Sequence, residues 1–150
     1  MNAEIGALSP AAGKPRILII TTLLSSYLAA DALGQLHIEY PASTFIMRAP
    51  DPVVFPERFY MDTLRKGIDG IIIASAGTDC PYEGAYSQLA RTIDGVYQQM
   101  KAAGMDLRRV RLTAVCSVCT HHLLKEINGM CAVLDEIKAG GKACPGKSMM

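Results

Sequence analysis

The segment Cys116-Ser-Val-Cys119, followed by Thr120, His121 and His122, gathers more chemically versatile side chains than any other part of this 150-residue chain. Two thiols at that spacing can close a disulfide, join an iron–sulfur cluster, or bind zinc with a neighbouring histidine. The motif lies where an apolar run, VRLTAV, gives way to a helical pattern. Free backbone N–H groups and the dipole at a helix start stabilise a thiolate there. The plainer alternative is a pair of small buried hydrophobes.

Cys80 follows an apolar run in GIIIASAGTDCPYEG. Three consecutive isoleucines bounded by glycine predict a strand buried on both faces, as in a parallel sheet. In such sheets chemistry collects in the loops beyond the carboxyl ends of the strands, and Cys80 occupies one. Asp79 either orients Cys80 or is an ordinary turn aspartate. Cys131 falls on a helical apolar stripe and reads as core. Cys144 lies in an aperiodic tail, as an incidental thiol or a swung-in fourth ligand. His121 and His122 open a helix, as solvated imidazoles or as a ligand or proton carrier. His37 has no partner visible in the sequence.

The elements that position these residues alternate strand and helix. Arg16–Thr21 reads as the first strand, with Ser25 or Ser26 capping a helix over Tyr27–Leu36. Thr44–Arg48 forms the second, and a helix runs from Pro56 to Gly67. After the Gly70 strand comes a helix over roughly Gly84–Ala103, with Leu89, Ile93, Val96 and Met100 on one face. Val110–Val115 is the fourth strand and Thr120–Lys138 the last helix, with Asn128-Gly129 expected to kink or interrupt it. Four strands with flanking helices predict a single α/β domain over residues 1–150, a three-layer parallel sheet with right-handed crossovers. Residues 1–14 and 139–150 are expected to be flexible. A single crossover joins strands three and four, so Cys80, Cys116 and Cys119 are expected together at one sheet edge. Tyr27 and Asp31, four apart and on one helix face, are expected to be structural, fixing the helix against the neighbouring loop by a hydrogen bond.

Composition narrows the function classes. The formal charge is +1 with no dominant Lys/Arg cluster, which argues against nucleic acid as an obligatory partner. Mean hydropathy is +0.20, yet the apolar runs are strand-sized and no membrane span is expected. The excess fits a buried sheet and a sticky subunit interface. The amino terminus lacks a basic segment followed by an apolar one, so a cytoplasmic location is expected. Five cysteines in such a setting suggest metal or redox chemistry before structural disulfides. No phosphate loop and no Ser/His/Asp arrangement is readable.

The pattern resembles the small iron–sulfur (delta) subunit of methyl-viologen-reducing nickel–iron hydrogenase, which links that enzyme to heterodisulfide reductase. The resemblance runs from about Arg16 to Lys138. Ser26, Tyr27, Ala30, Asp31 and Gly34 match the family's first helix. Lys66, Gly67, Asp69, Gly70, Asp79, Cys80, Tyr82 and Gly84 match its central block. Family cysteines, however, fall on Thr22, Ser25, Ser75 and the region of Pro50, and family histidines on Ala76 and Pro81. Of the implied ligand positions only Cys80 keeps its thiol.

The resemblance implies an accessory, non-catalytic electron-transfer subunit of a cytoplasmic hydrogenase/heterodisulfide-reductase-like complex, whose other subunits are its partners. It implies an iron–sulfur cluster, 2Fe–2S before 4Fe–4S, but Cys116 and Cys119 stand where family cysteines are not expected; either the site has moved to Cys80, Cys116 and Cys119, or the chain holds no cluster at all. Two alternatives stay open: a cluster-free adaptor, and a C-x-x-C dithiol oxidoreductase.

Overall fold

The computed structural model describes residues 13–140. Four strands, β1 (Ile17–Thr22), β2 (Thr44–Ala49), β3 (Gly70–Ser75) and β4 (Val110–Ala114), form one sheet in the order β2-β1-β3-β4. All three pairings are parallel. The helices are α1 (Ser26–Gln35), α2 (Glu57–Arg65), α3 (Ala85–Ala102) and α4 (Thr120–Gly140).

The central strands explain the three layers. Every residue of β1 and β3 is buried, and alternate side chains leave opposite faces. Leu18, Ile20, Ile71 and Ile73 pack with Tyr60, Leu64, Leu89, Ile93 and Met100 of α2 and α3. Ile17, Ile19, Ile72 and Ala74 pack with Leu33, Leu123, Ile127, Met130 and Leu134 of α1 and α4. Truncating one of these isoleucines to alanine would cost about 2–5 kcal/mol. The outer strands β2 and β4 are only partly buried.

Two glycines allow close packing at the two ends of β3. A Cβ at Gly70 would lie 2.9 Å from both Leu134 Cδ1 and Met130 Sδ, so the missing side chain lets α4 lie close on β3. Gly77, at φ +63°, makes the turn after β3, where a Cβ would come 3.0 Å from Ala114 Cβ on β4.

The expected strands and helices are present with ends shifted by one or two residues. Pro56 precedes α2 rather than opening it. The expected break at Asn128-Gly129 does not occur: α4 is continuous, held by buried Ile127 and Met130 on either side. Ala139 and Gly140, expected to be flexible, complete α4. Residues 1–12 and 141–150, Cys144 included, lie outside the described residues. Among the described residues no helix is long and apolar enough to cross a membrane.

Candidate functional site

The strands are parallel, so the loops after all four leave one edge of the sheet, and this edge divides into two corners.

The first corner lies beyond β1, β2 and β3 and is closed by hydroxyls. Thr22 Oγ1 donates to the Ala74 carbonyl at 3.2 Å. Ser26 Oγ donates to the same carbonyl at 2.6 Å and accepts from the Thr22 amide at 2.8 Å. Thr21 Oγ1 reaches the Met47 carbonyl at 2.9 Å. Ser75 Oγ accepts from the Gly77 amide at 3.1 Å and donates to the Thr113 carbonyl at 3.4 Å. These bonds tie β1 to β3, β1 to β2 and β3 to β4. The expected serine cap of α1 does not form, because Ser26 is drawn to Ala74; Ser25 holds the cap position without a side-chain bond. Among the described residues, Ser25 Oγ is buried with no hydrogen-bond partner.

Cys80 belongs to this corner. Its Sγ donates to Asp51 Oδ2 at 3.0 Å, and Asp51 Oδ1 accepts from the Val53 amide at 2.9 Å. Asp51 is almost fully buried in the turn after β2. Burial pushes the Cys80 thiol up, and the bond and charge of Asp51 push it further, so the sulfur is held protonated.

The second corner lies between β4 and α4. Cys116 and Cys119 are joined by a disulfide, with Cα atoms 5.0 Å apart. The intervening turn is closed by the Cys119 amide donating to the Cys116 carbonyl at 3.2 Å, and Leu123 N–H then donates to the Cys119 carbonyl at 3.1 Å. Cys119 therefore sits where α4 begins. Cys116 is exposed, while Cys119 is half-buried against the α1/α4 core. Val118 between them is 85% exposed. His122 Nε2 lies 3.3 Å from Thr113 Oγ1 and 3.9 Å from Glu126 Oε1. Arg111 Nη1 reaches Glu126 Oε2 at 3.0 Å. His121 is exposed.

Cys80, Cys116 and Cys119 thus leave the same edge but bond differently. Cys80 turns toward the loop of β2, which lies at the opposite side of the sheet from β4. Among the described residues no group of three or more His, Cys, Asp or Glu side chains could hold a metal ion. Cys131, read as core, is only half-buried beside it. Burial, and next Asp135, raise its thiol.

A family model described as the delta subunit of methyl-viologen-reducing hydrogenase matches residues 17–138. The chain belongs to that family. Two relatives are the A-type subunits of CoB-CoM heterodisulfide reductases. Over 113 residues the chain is 26% identical to that of the ferredoxin/F420H2-dependent enzyme of Methanosarcina acetivorans. Over the same length it is 25% identical to that of the ferredoxin-dependent enzyme of Methanosarcina mazei. Both matches cover 75% of this chain but only 14% of the relative.

In this delta-subunit-family chain, the positions where the resemblance puts cysteines carry the strapping hydroxyls Thr22 and Ser75, the half-buried Ser25 and, around Pro50, no thiol. An iron–sulfur cluster does not fit the residues described. Two of the three candidate thiols bond each other, the third bonds Asp51, and three thiolates are one short of an all-cysteine set. The residue that sequence reasoning missed is Asp51. Its signal was present in the APDP stretch: an aspartate before proline that caps its own turn, here Pro52–Val54.

Proposed function

We propose that this chain is an accessory subunit of a hydrogenase- or heterodisulfide-reductase-like redox complex, docking its partner through the carboxyl edge of the sheet without a cluster of its own. The observation that carries this reading is an apolar ridge on the first loop and helix. Leu23, Leu24 and Leu28 are 39%, 71% and 48% exposed beside the hydroxyl-closed corner. Neighbouring exposed leucines usually mark a partner surface. Family membership and the heterodisulfide reductase relatives supply the class of partner. In the relatives the matching segment is part of one long chain, so a contact between this unit and a larger subunit suits both arrangements.

The test is anaerobic purification of tagged chain from its native cells, with mass-spectrometric identification of co-eluting proteins and visible absorption of the chain itself. The expected result is a colourless chain that co-elutes with hydrogenase or heterodisulfide reductase subunits, and a Leu24→Asp variant that loses them. A broad charge-transfer band with stoichiometric iron would overturn the cluster-free part. A stable monomer with no such subunit bound would overturn the docking part.

A further inference from the structure

The Cys116–Cys119 disulfide takes no part in that docking reading, and its placement differs from that of a structural crosslink. It spans one turn, so it removes little loop entropy from the unfolded chain. It joins no two distant elements, and its leading residue is exposed. Exposed disulfides of this kind are the labile ones.

We propose that the pair is a thiol–disulfide exchange site that takes two electrons from a protein dithiol. The two sulfurs are inequivalent. Cys116 is open to an incoming thiolate, whereas Cys119 is half-buried at the start of α4. The amides of Thr120, His121 and His122, in the first turn of this 21-residue helix, have no carbonyl partner within it. With the helix dipole they stabilise a thiolate on Cys119, and a stabilised thiolate is the better leaving group. Val118, exposed between the two cysteines, offers an attacking polypeptide an apolar contact that a small thiol does not use. Cys80 and Cys131 are held protonated and compete poorly as nucleophiles.

A thiolate of the partner attacks Cys116 Sγ; a mixed disulfide forms while the Cys116–Cys119 bond breaks, and Cys119 leaves with the electron pair. Solvent protonates it. The partner's second thiol loses its proton to solvent and attacks the partner's own sulfur in the mixed disulfide. The partner disulfide forms, and Cys116 leaves as a thiolate and is protonated. Two electrons and two protons have passed to this chain.

The test uses the full chain with Cys80→Ser, Cys131→Ser and Cys144→Ser, so that only the pair can react. Reduced thioredoxin serves as the protein dithiol and reduced glutathione as the small thiol. Thioredoxin is expected to release two countable thiols per folded chain, and faster than glutathione does. In the same background, Cys119→Ser is expected to capture a single-cysteine thioredoxin activated with thionitrobenzoate about tenfold faster than Cys116→Ser, because access of the protein disulfide to exposed Cys116 outweighs the larger thiolate fraction of half-buried Cys119. Both variants lack the disulfide, so they share any folding defect and differ only in which sulfur remains; circular dichroism confirms that both are folded. Equal capture rates, or faster capture by Cys119, would overturn the assigned roles. A disulfide that thioredoxin reduces only after denaturation would overturn the site. Reduction by glutathione at the thioredoxin rate would overturn the protein partner. None of these readouts involves the complex, so docking and exchange can fail separately.

Discussion

The two corners of one sheet edge carry opposite kinds of chemistry. Beyond β1, β2 and β3, hydroxyls and a carboxylate are buried and bonded inward: Thr22 and Ser26 to Ala74, Cys80 to Asp51. Beyond β4, two sulfurs bond each other, Cys116 exposed and Cys119 half-buried where α4 begins. The sheet order explains the difference. The first corner is built chiefly on β1 and β3, whose residues are all buried, so its polar groups pair within the protein, with Ser25 Oγ the exception. The second is built on an edge strand, where solvent satisfies what the protein does not. In this chain structural polarity has gone to the centre of the edge, and reactive sulfur to its margin.

The largest test of that contrast is Ser26→Ala. Ser26 is fully buried, and its hydroxyl serves both the Thr22 amide and the Ala74 carbonyl. Removing it leaves a buried donor unpaired and should cost about 2–3 kcal/mol. Urea denaturation measures this directly. A loss below the uncertainty of the extrapolation would show that the hydroxyls do not hold the corner.

The middle test is reduction of the disulfide. Crosslinking so short a loop constrains the unfolded chain by roughly 2 kcal/mol or less. Denaturation of the Cys116→Ser variant beside the oxidised parent should therefore show a smaller loss than Ser26→Ala does. A larger one would make the pair a structural staple and erase the difference between the corners.

Much of this was legible in the sequence, and the parts that were not share a cause. The isoleucine run of β3 announced a doubly buried strand, and the single crossover placed β4 beside it. The spacing of Cys116 and Cys119 left disulfide, cluster and zinc open, because two thiols one turn apart suit all three. Local spacing could not place Asp51 against Cys80, 29 residues away, because that contact depends on β2 lying beyond β1 in the sheet. The partner of Tyr27 was hidden in the same way. Tyr27 and Asp31 were expected to hold the helix to the neighbouring loop by a hydrogen bond, but Asp31 accepts from Gln35 at 2.6 Å, and Tyr27 lies under the Arg48 guanidinium, 5.2 Å from the ring centroid. Arg48 comes from β2, again a neighbour that only the tertiary fold supplies.

The smallest expected effect sharpens the comparison from the thiol side. Cys80 is held protonated by burial first, then by its bond to Asp51 and by that residue's charge. Asp51→Asn keeps an oxygen for the Val53 amide but removes the negative charge. With Cys131→Ser and Cys144→Ser in place and the disulfide intact, alkylation of Cys80 by iodoacetamide followed from neutral to alkaline pH reports its thiolate. The midpoint should move down toward the ordinary thiol value without reaching it, because burial persists, and the rate at neutral pH should rise about threefold. Stability should follow the same linkage. A raised thiol contributes fully below its unfolded pKa, and that contribution fades as pH climbs through the folded value, so Asp51→Asn should flatten the alkaline loss. An unchanged midpoint would mean that Asp51 does not set the state of Cys80. The first corner would then owe its inertness to burial alone.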